Sequence, residues 1–220
     1  MKIGLVSDSY GNVEVLEAAI DALFAVGADR VFFLGGRYAD VQAVLDRKRA
    51  GVKGGRPARP PPAGEETLGF LRAVEGVLQG QVEDDPAEKV DRLARRIVRV
   101  ASKACPEYQR DRAPRKVFEM VDGLICCLVH DKADFTRDDI ANATVLFHGN
   151  SGHPAIVSIG PRFFVTPGHL RAIDPDGRPP TYALLEVDGG SMELVVYSAF
   201  GRELKRERAA LGARTKVSVK

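Results

Sequence analysis

The residues in this chain that could do chemistry are few, and most stand at the ends of apolar runs. Asp8 follows the run Ile3-Gly4-Leu5-Val6, and Tyr10-Gly11-Asn12 comes directly after it. The chain has four histidines: His130, His148, His153 and His169. Each lies at or just beyond the C-terminal end of a predicted strand. A carboxylate and several imidazoles gathered at strand ends are the donors that a divalent ion takes, and three ligands plus a water suffice for zinc. Open α/β folds place ligands at that edge of the sheet. The alternative reading is that these histidines make ordinary hydrogen bonds. The cysteines are Cys105, Cys126 and Cys127. Adjacent cysteines in one strand point to opposite faces and do not pair. Without metal-ligand spacing, the three read as reduced thiols of a cytoplasmic protein.

The elements that must carry these residues follow from periodicity. Lys2–Val6 reads as a buried strand. Residues 12–24 form a helix with Val13, Leu16, Ala19, Ile20 and Leu23 on one face. Arg30–Leu34 is a second strand, ending in Gly35-Gly36, and a helix over about 39–47 follows. Strand, helix, strand, helix at this spacing predicts parallel βαβ units and an α/β protein. From Lys116 the pattern turns to strands: 116–120 and 124–129 around Asp122-Gly123, 143–147, 155–159 with 162–166, and 181–187 with 192–198. Asp134 reads as the N-cap of a short helix over 135–141, with Asp131, Asp138 and Asp139 as surface charge.

Between these halves the sequence changes character. Residues 47–64 read RKRAGVKGGRPARPPPAG, a basic loop rich in glycine and proline. Residues 65–79 carry a helical stripe, and a second helix begins at the cap Asp85-Pro86. Its stripe is Val90, Leu93, Ala94, Ile97, Val98 and Ala101, and its other side is basic. That basic side is read as a solvated face, since no interleaved aromatic residues support base stacking. Net charge is +2, so composition gives no general case for nucleic-acid binding. No apolar stretch approaches the ~20 residues that span a bilayer, and Ile3–Val6 is too short for the apolar core of a signal peptide.

The order of these pieces resembles the small calcineurin-like metallophosphoesterases of the YfcE type. That family opens on Asp-x-His-Gly-Asn, has Gly-Asp after the second strand, then Gly-Asn-His-Asp, a His-Gly, a Gly-His-x-His, and an Asn-Pro-Gly-Ser turn. The resemblance covers residues 1 to about 45 and about 116 to 202. It implies a two-sheet mixed β sandwich flanked by helices, with a two-metal site at the strand ends, and it makes 47–115 a helical insertion. Residues 1–202 are expected as one domain, and 203–220 as a charged tail that frays or extends as an arm.

Carried across position by position, the resemblance leaves a degenerate site. Asp8 matches the first aspartate, and His130 the histidine of His-Gly. Tyr10 replaces the first histidine, and Gly36 replaces the carboxylate that bridges the two metals. Asn150 and Gly152 stand at the histidines of Gly-His-x-His, with His153 displaced by one. No match to Gly-Asn-His-Asp is found. Thr166-Pro167-Gly168-His169 keeps the Pro-Gly turn. Even losses around a metal's direct ligands cost 10–100-fold in affinity or activity. The expectation is therefore a non-catalytic pseudoenzyme with no cofactor, binding a protein partner through 47–115. The scaffold subunit of the retromer coat offers the analogy. The alternative is a metal-dependent phosphoesterase with one zinc, manganese or nickel ion, held by Asp8, His130 and His153 or His148.

Overall fold

The computed structural model describes residues 1–52, 85–101 and 113–211. The helix expected over 65–79, the rest of the basic loop and Cys105 lie outside the described residues.

Two sheets form the centre. The first runs β11-β10-β9-β1-β2-β3 and the second β4-β5-β6-β8-β7. β1 (Lys2–Val6), β2 (Arg30–Phe33) and β3 (Ile97–Arg99) are mutually parallel, and β9 (Thr181–Asp188) joins β1 antiparallel. β10 (Ser191–Ser198) and β11 (Glu203–Ala210) extend that edge. In the second sheet β5 (Leu124–Val129), β6 (Val145–His148) and β8 (Arg162–Pro167) run parallel, flanked by antiparallel β4 (Lys116–Val121) and β7 (Pro154–Ile159). Asp122 and Gly123 take φ of 47° and 84°, the primed turn whose twist suits a two-residue hairpin.

Alternating strand residues build three cores. Ile3, Leu5, Phe32 and Leu34 meet Leu128, Phe147 and Val165 between the sheets. The opposite face of the first sheet packs Val31 and Phe33 against α1 (Val13–Ala25), α2 (Ala39–Val52) and α3 (Pro86–Arg96). Among the described residues, the outer face of the second sheet carries a 3-10 turn (Lys132–Asp134) and the short α4 (Arg137–Asn142). This is the α/β two-sheet mixed sandwich expected from the sequence.

Three expectations are corrected. Residues 47–52, read as the start of a loop, continue α2. Arg47 pairs with Glu14 at 3.1 Å and Lys48 with Asp21 at 2.7 Å, so the acidic face of α1 holds those positions helical. Residues 85–101 are more than a helical insertion. α3 stops at Arg96, and β-branched Ile97 and Val98 pair with Val31 and Phe32 as an edge strand. Arg96 Nε donates to the Asp29 carbonyl at 2.8 Å, and its guanidinium lies 4.3 Å from the Phe24 ring centre. Residues 203–210, read as a tail, form β11, paired to β10 and bonded through Arg206 and Arg208 to Glu193.

Candidate functional site

The parallel strands bring their C-terminal ends to one edge. β1 delivers Asp8, β2 Gly35-Gly36, β5 His130, β6 His148 to Asn150, and β8 the His169–Arg171 stretch. Hydrogen bonds stitch these loops together. The Asp8 N–H donates to the Gly35 carbonyl at 2.8 Å and the Leu170 N–H to the Asp8 carbonyl at 3.2 Å.

Asp8 is fully buried. Its Oδ2 accepts from the Ser7 hydroxyl at 2.7 Å and the Asn150 N–H at 2.9 Å, while Oδ1 is buried with no hydrogen-bond partner among the described residues. Burial pushes its carboxyl above the ordinary value, although Ser7, His130, Asn150 and Arg171 pull the other way. Among the described residues, four non-glycines have positive φ: Asp8 (55°), Tyr10 (44°) and Asn150 (49°) in this site, and Asp122 in the hairpin turn. Backbone strain is thus concentrated where the functional loops meet.

His130 is buried, and its Nδ1 donates to the Leu34 carbonyl at 2.6 Å. His148 is half-buried, its Nδ1 donates to the Gly149 carbonyl at 2.9 Å, and its ring stands edge-on to Phe135. Burial pushes the His148 imidazole below its ordinary value. His153 is exposed. Tyr10 is half-exposed, with the Arg171 guanidinium 4.4 Å from its ring centre. Burial and the charge of Asp8 push its phenol up, so it stays neutral.

Tests of a metal follow from these positions. Among the described residues, no three His, Cys, Asp or Glu side chains converge as a ligand group. The expected trio of Asp8, His130 and His153 or His148 is therefore not assembled. Gly152 supplies only its carbonyl, which accepts from Arg178 Nη1 at 3.4 Å. Gly36 sits at φ 109°, and a Cβ there would fall 2.8 Å from Asp8 Cα and 3.1 Å from Asp8 N. A bridging carboxylate has no room at this position unless the backbone moves, so a metal pair does not fit the residues present. Among the described residues, the orphaned Asp8 Oδ1 is the feature that favours a cation.

Several site residues lacked a sequence signal. Asp40, in the first turn of α2, accepts from the Ser9 hydroxyl at 2.7 Å and the Gly11 N–H at 2.6 Å. Asp40 thus holds the turn before α1. Asp131 accepts from the Ala133 N–H and from Asn150 Nδ2, each bond holding its carboxyl below the ordinary range. It also N-caps the 3-10 turn, while Thr136 caps α4 in a reciprocal box with Asp139, so Asp134 is not the cap. The Thr136-x-x-Asp139 spacing carries that signal. His169 is fully buried, with Nδ1 accepting from the Arg171 N–H at 3.1 Å and Nε2 lying 3.5 Å from Asp174.

The sheet order and the strand-end site together define the calcineurin-like metallophosphoesterase fold. No family model matches the chain, and no curated protein matches it in sequence. Solved structures do match. YfcE, a phosphoesterase from E. coli, aligns at TM-score 0.57 and 18% identity, over 96% of this chain and 100% of that one. A predicted phosphoesterase from Streptococcus pneumoniae aligns at 0.56 and 16%, over 95% and 97%. Wild-type Vps29 of Entamoeba histolytica, solved in complex with zinc, aligns at 0.51 and 15%, over 96% and 100%. Identities this low establish the shared fold alone. No described helix is long and apolar enough to cross a membrane.

Proposed function

We propose that this chain is a non-hydrolytic protein-binding module on a metallophosphoesterase fold. One observation supports the reading: at Gly36, where the resembled family carries its bridging carboxylate, an added Cβ would fall 2.8 Å from Asp8 Cα. Two-metal hydrolysis needs ligands that hold both ions against the phosphate oxygens, and loss of that bridge removes the geometry. The contact proposed for the partner is segment 47–115, whose α3 presents Lys89, Arg92 and Arg95 to solvent. The proposed setting is the cytoplasm, in keeping with the reduced, buried Cys126 and Cys127.

The test is hydrolysis of bis-p-nitrophenyl phosphate with manganese, nickel or zinc added, run beside Asp8→Ala. No turnover above the Asp8→Ala background is expected. Metal-dependent turnover that Asp8→Ala abolishes refutes the reading.

A second reading, one divalent ion at Asp8 and His130, is favoured only by the unpartnered Asp8 Oδ1. Metal analysis of protein purified without added metal decides it. Stoichiometric zinc, manganese or nickel, lost in Asp8→Ala, would support this second reading.

A further inference from the structure

Among the described residues, three buried side-chain atoms have no hydrogen-bond partner: Asp8 Oδ1, His169 Nε2 and Arg171 Nε. Native folds leave few such atoms, and each asks for an explanation. All three of these belong to the strand-end site. His169 Nδ1 accepts from the Arg171 N–H, so the ring carries its proton on Nε2. Arg171 Nε is a donor, and its guanidinium keeps its charge. The site therefore holds one acceptor, on Asp8, beside two donors, one of them a permanent cation. The backbone fixes Arg171 there. The Leu170 N–H donates to the Asp8 carbonyl at 3.2 Å, and Asn12 Nδ2 donates to the Leu170 carbonyl at 2.8 Å. The Arg171 guanidinium lies 4.4 Å from the Tyr10 ring centre. Its charge acts on Asp8, on the Tyr10 phenol and on His169.

We infer that Arg171 is the resident cation of this site: its guanidinium, stacked on Tyr10, supplies the positive charge that Asp8 would otherwise take from a metal ion. This assignment rests on the non-hydrolytic reading above and extends it from a metal pair to a single ion. Charge is the ground for it. Asp8 is fully buried, and a buried carboxylate needs a partner charge. An imidazole can give up its proton to bind a metal, but a guanidinium cannot. A divalent ion at Asp8 Oδ1 would share a water-poor space with that fixed charge, where repulsion is strong. The backbone of Tyr10 points the same way. A bulky residue at φ 44° is an outlier, and such conformations persist only where the surroundings hold them. The Arg171 contact holds this one.

The test is calorimetric titration of the metal-stripped full chain with zinc and, separately, manganese, beside thermal melting with and without a chelator. The parent should bind neither ion and melt alike in both conditions. Arg171→Met removes the charge and keeps the length. It should melt lower without metal and raise zinc affinity by about tenfold or more above the parent's, a gain that adding Asp8→Ala abolishes. Arg171→Lys keeps the charge and should still refuse zinc. Adding Asp8→Asn to Arg171→Met removes both charges together and should restore part of the lost stability. Four outcomes overturn the assignment: a parent that takes up an equivalent of either ion through Asp8; a folded Arg171→Met with no gain in affinity; an Arg171→Lys that gains zinc as Arg171→Met does; or, where Arg171→Met does not fold, a combination with Asp8→Asn that does not fold either. Turnover of bis-p-nitrophenyl phosphate would instead refute the non-hydrolytic reading, so the two fail separately.

Discussion

Replacing Gly36 by alanine adds one methyl group, and its cost can be worked from geometry. At φ 109° an L-residue is strained, by about 1–2 kcal/mol on the scale of left-handed backbone. The new Cβ would also stand 2.8 Å from Asp8 Cα, 3.1 Å from Asp8 N and 3.2 Å from Ser9 N. Carbon contacts are optimal near 3.5–4.0 Å. All three neighbours are backbone atoms, so no side-chain rotation relieves the contact. Overpacking of this kind adds about 1–3 kcal/mol. Against this, the unfolded chain loses entropy worth about 0.4–1 kcal/mol. The sum is a loss of about 1–5 kcal/mol. Gly27 is the internal control: its φ is 86°, and a Cβ there meets nothing within 4 Å. Gly27→Ala therefore carries the backbone strain alone, about 1 kcal/mol after the entropy gain. Urea unfolding at pH 7, read as midpoint shifts at constant slope, separates the two. Gly36→Ala no more destabilising than Gly27→Ala would refute the steric argument. It would also show that the loop can open to admit a bridging carboxylate.

The remaining predictions concern the buried charges and thiols. Asp8 has a folded-state pKa above its ordinary 3.8, so ionising it in the folded chain costs stability as pH rises through the folded value. Asp8→Asn should match the parent near pH 3 and melt higher at pH 7; a variant that melts lower at pH 7 contradicts this. Burial, with Asp139 nearby, pushes the Cys127 thiol up to about 12, and burial pushes Cys126 up further. Both should resist a disulfide reagent at pH 8 and react once urea unfolds the chain; fast native-state labelling of either, mapped by mass spectrometry, would count against their burial. Thr136→Ala should cost about 1 kcal/mol through loss of the α4 cap, measured by denaturant midpoint.

Much of the fold was legible because local pattern and tertiary role agree. Lys2–Val6, the 116–129 hairpin and the 181–198 hairpin are apolar runs bounded by turn residues that suit only one connection. Where the two diverge, sequence reasoning failed. Ile97 and Val98 continue a helical stripe, yet they become β3 because β2 offers an unpaired parallel edge. Glu203–Ala210 has no apolar alternation, and its strand state rests on β10 and on Glu193. Within the site, the motif frame located Asp8, Tyr10, Gly36 and Asn150 by spacing. Asp40 and Arg171 act through contacts that only the folded loops create. His153 sits in the right loop, yet its ring is exposed, and spacing alone cannot report a side chain's direction.

The placement of β1 has a consequence for how the chain is made. Ile3 lies opposite Leu185 in the finished sheet, so nearly the whole chain separates these partners. During synthesis β1 and β2 can meet early, but one flank of β1 stays open until β9 has left the ribosome. Contacts of such long sequence separation fold slowly, and unpaired strand flanks are prone to aggregation in the meantime. A chain that stops just before β9 keeps Asp8 and every loop of the strand-end site, yet lacks the neighbour that holds β1 in place. Premature termination or proteolysis before residue 181 should therefore yield an insoluble fragment, because β1 is secured by a strand made long after it.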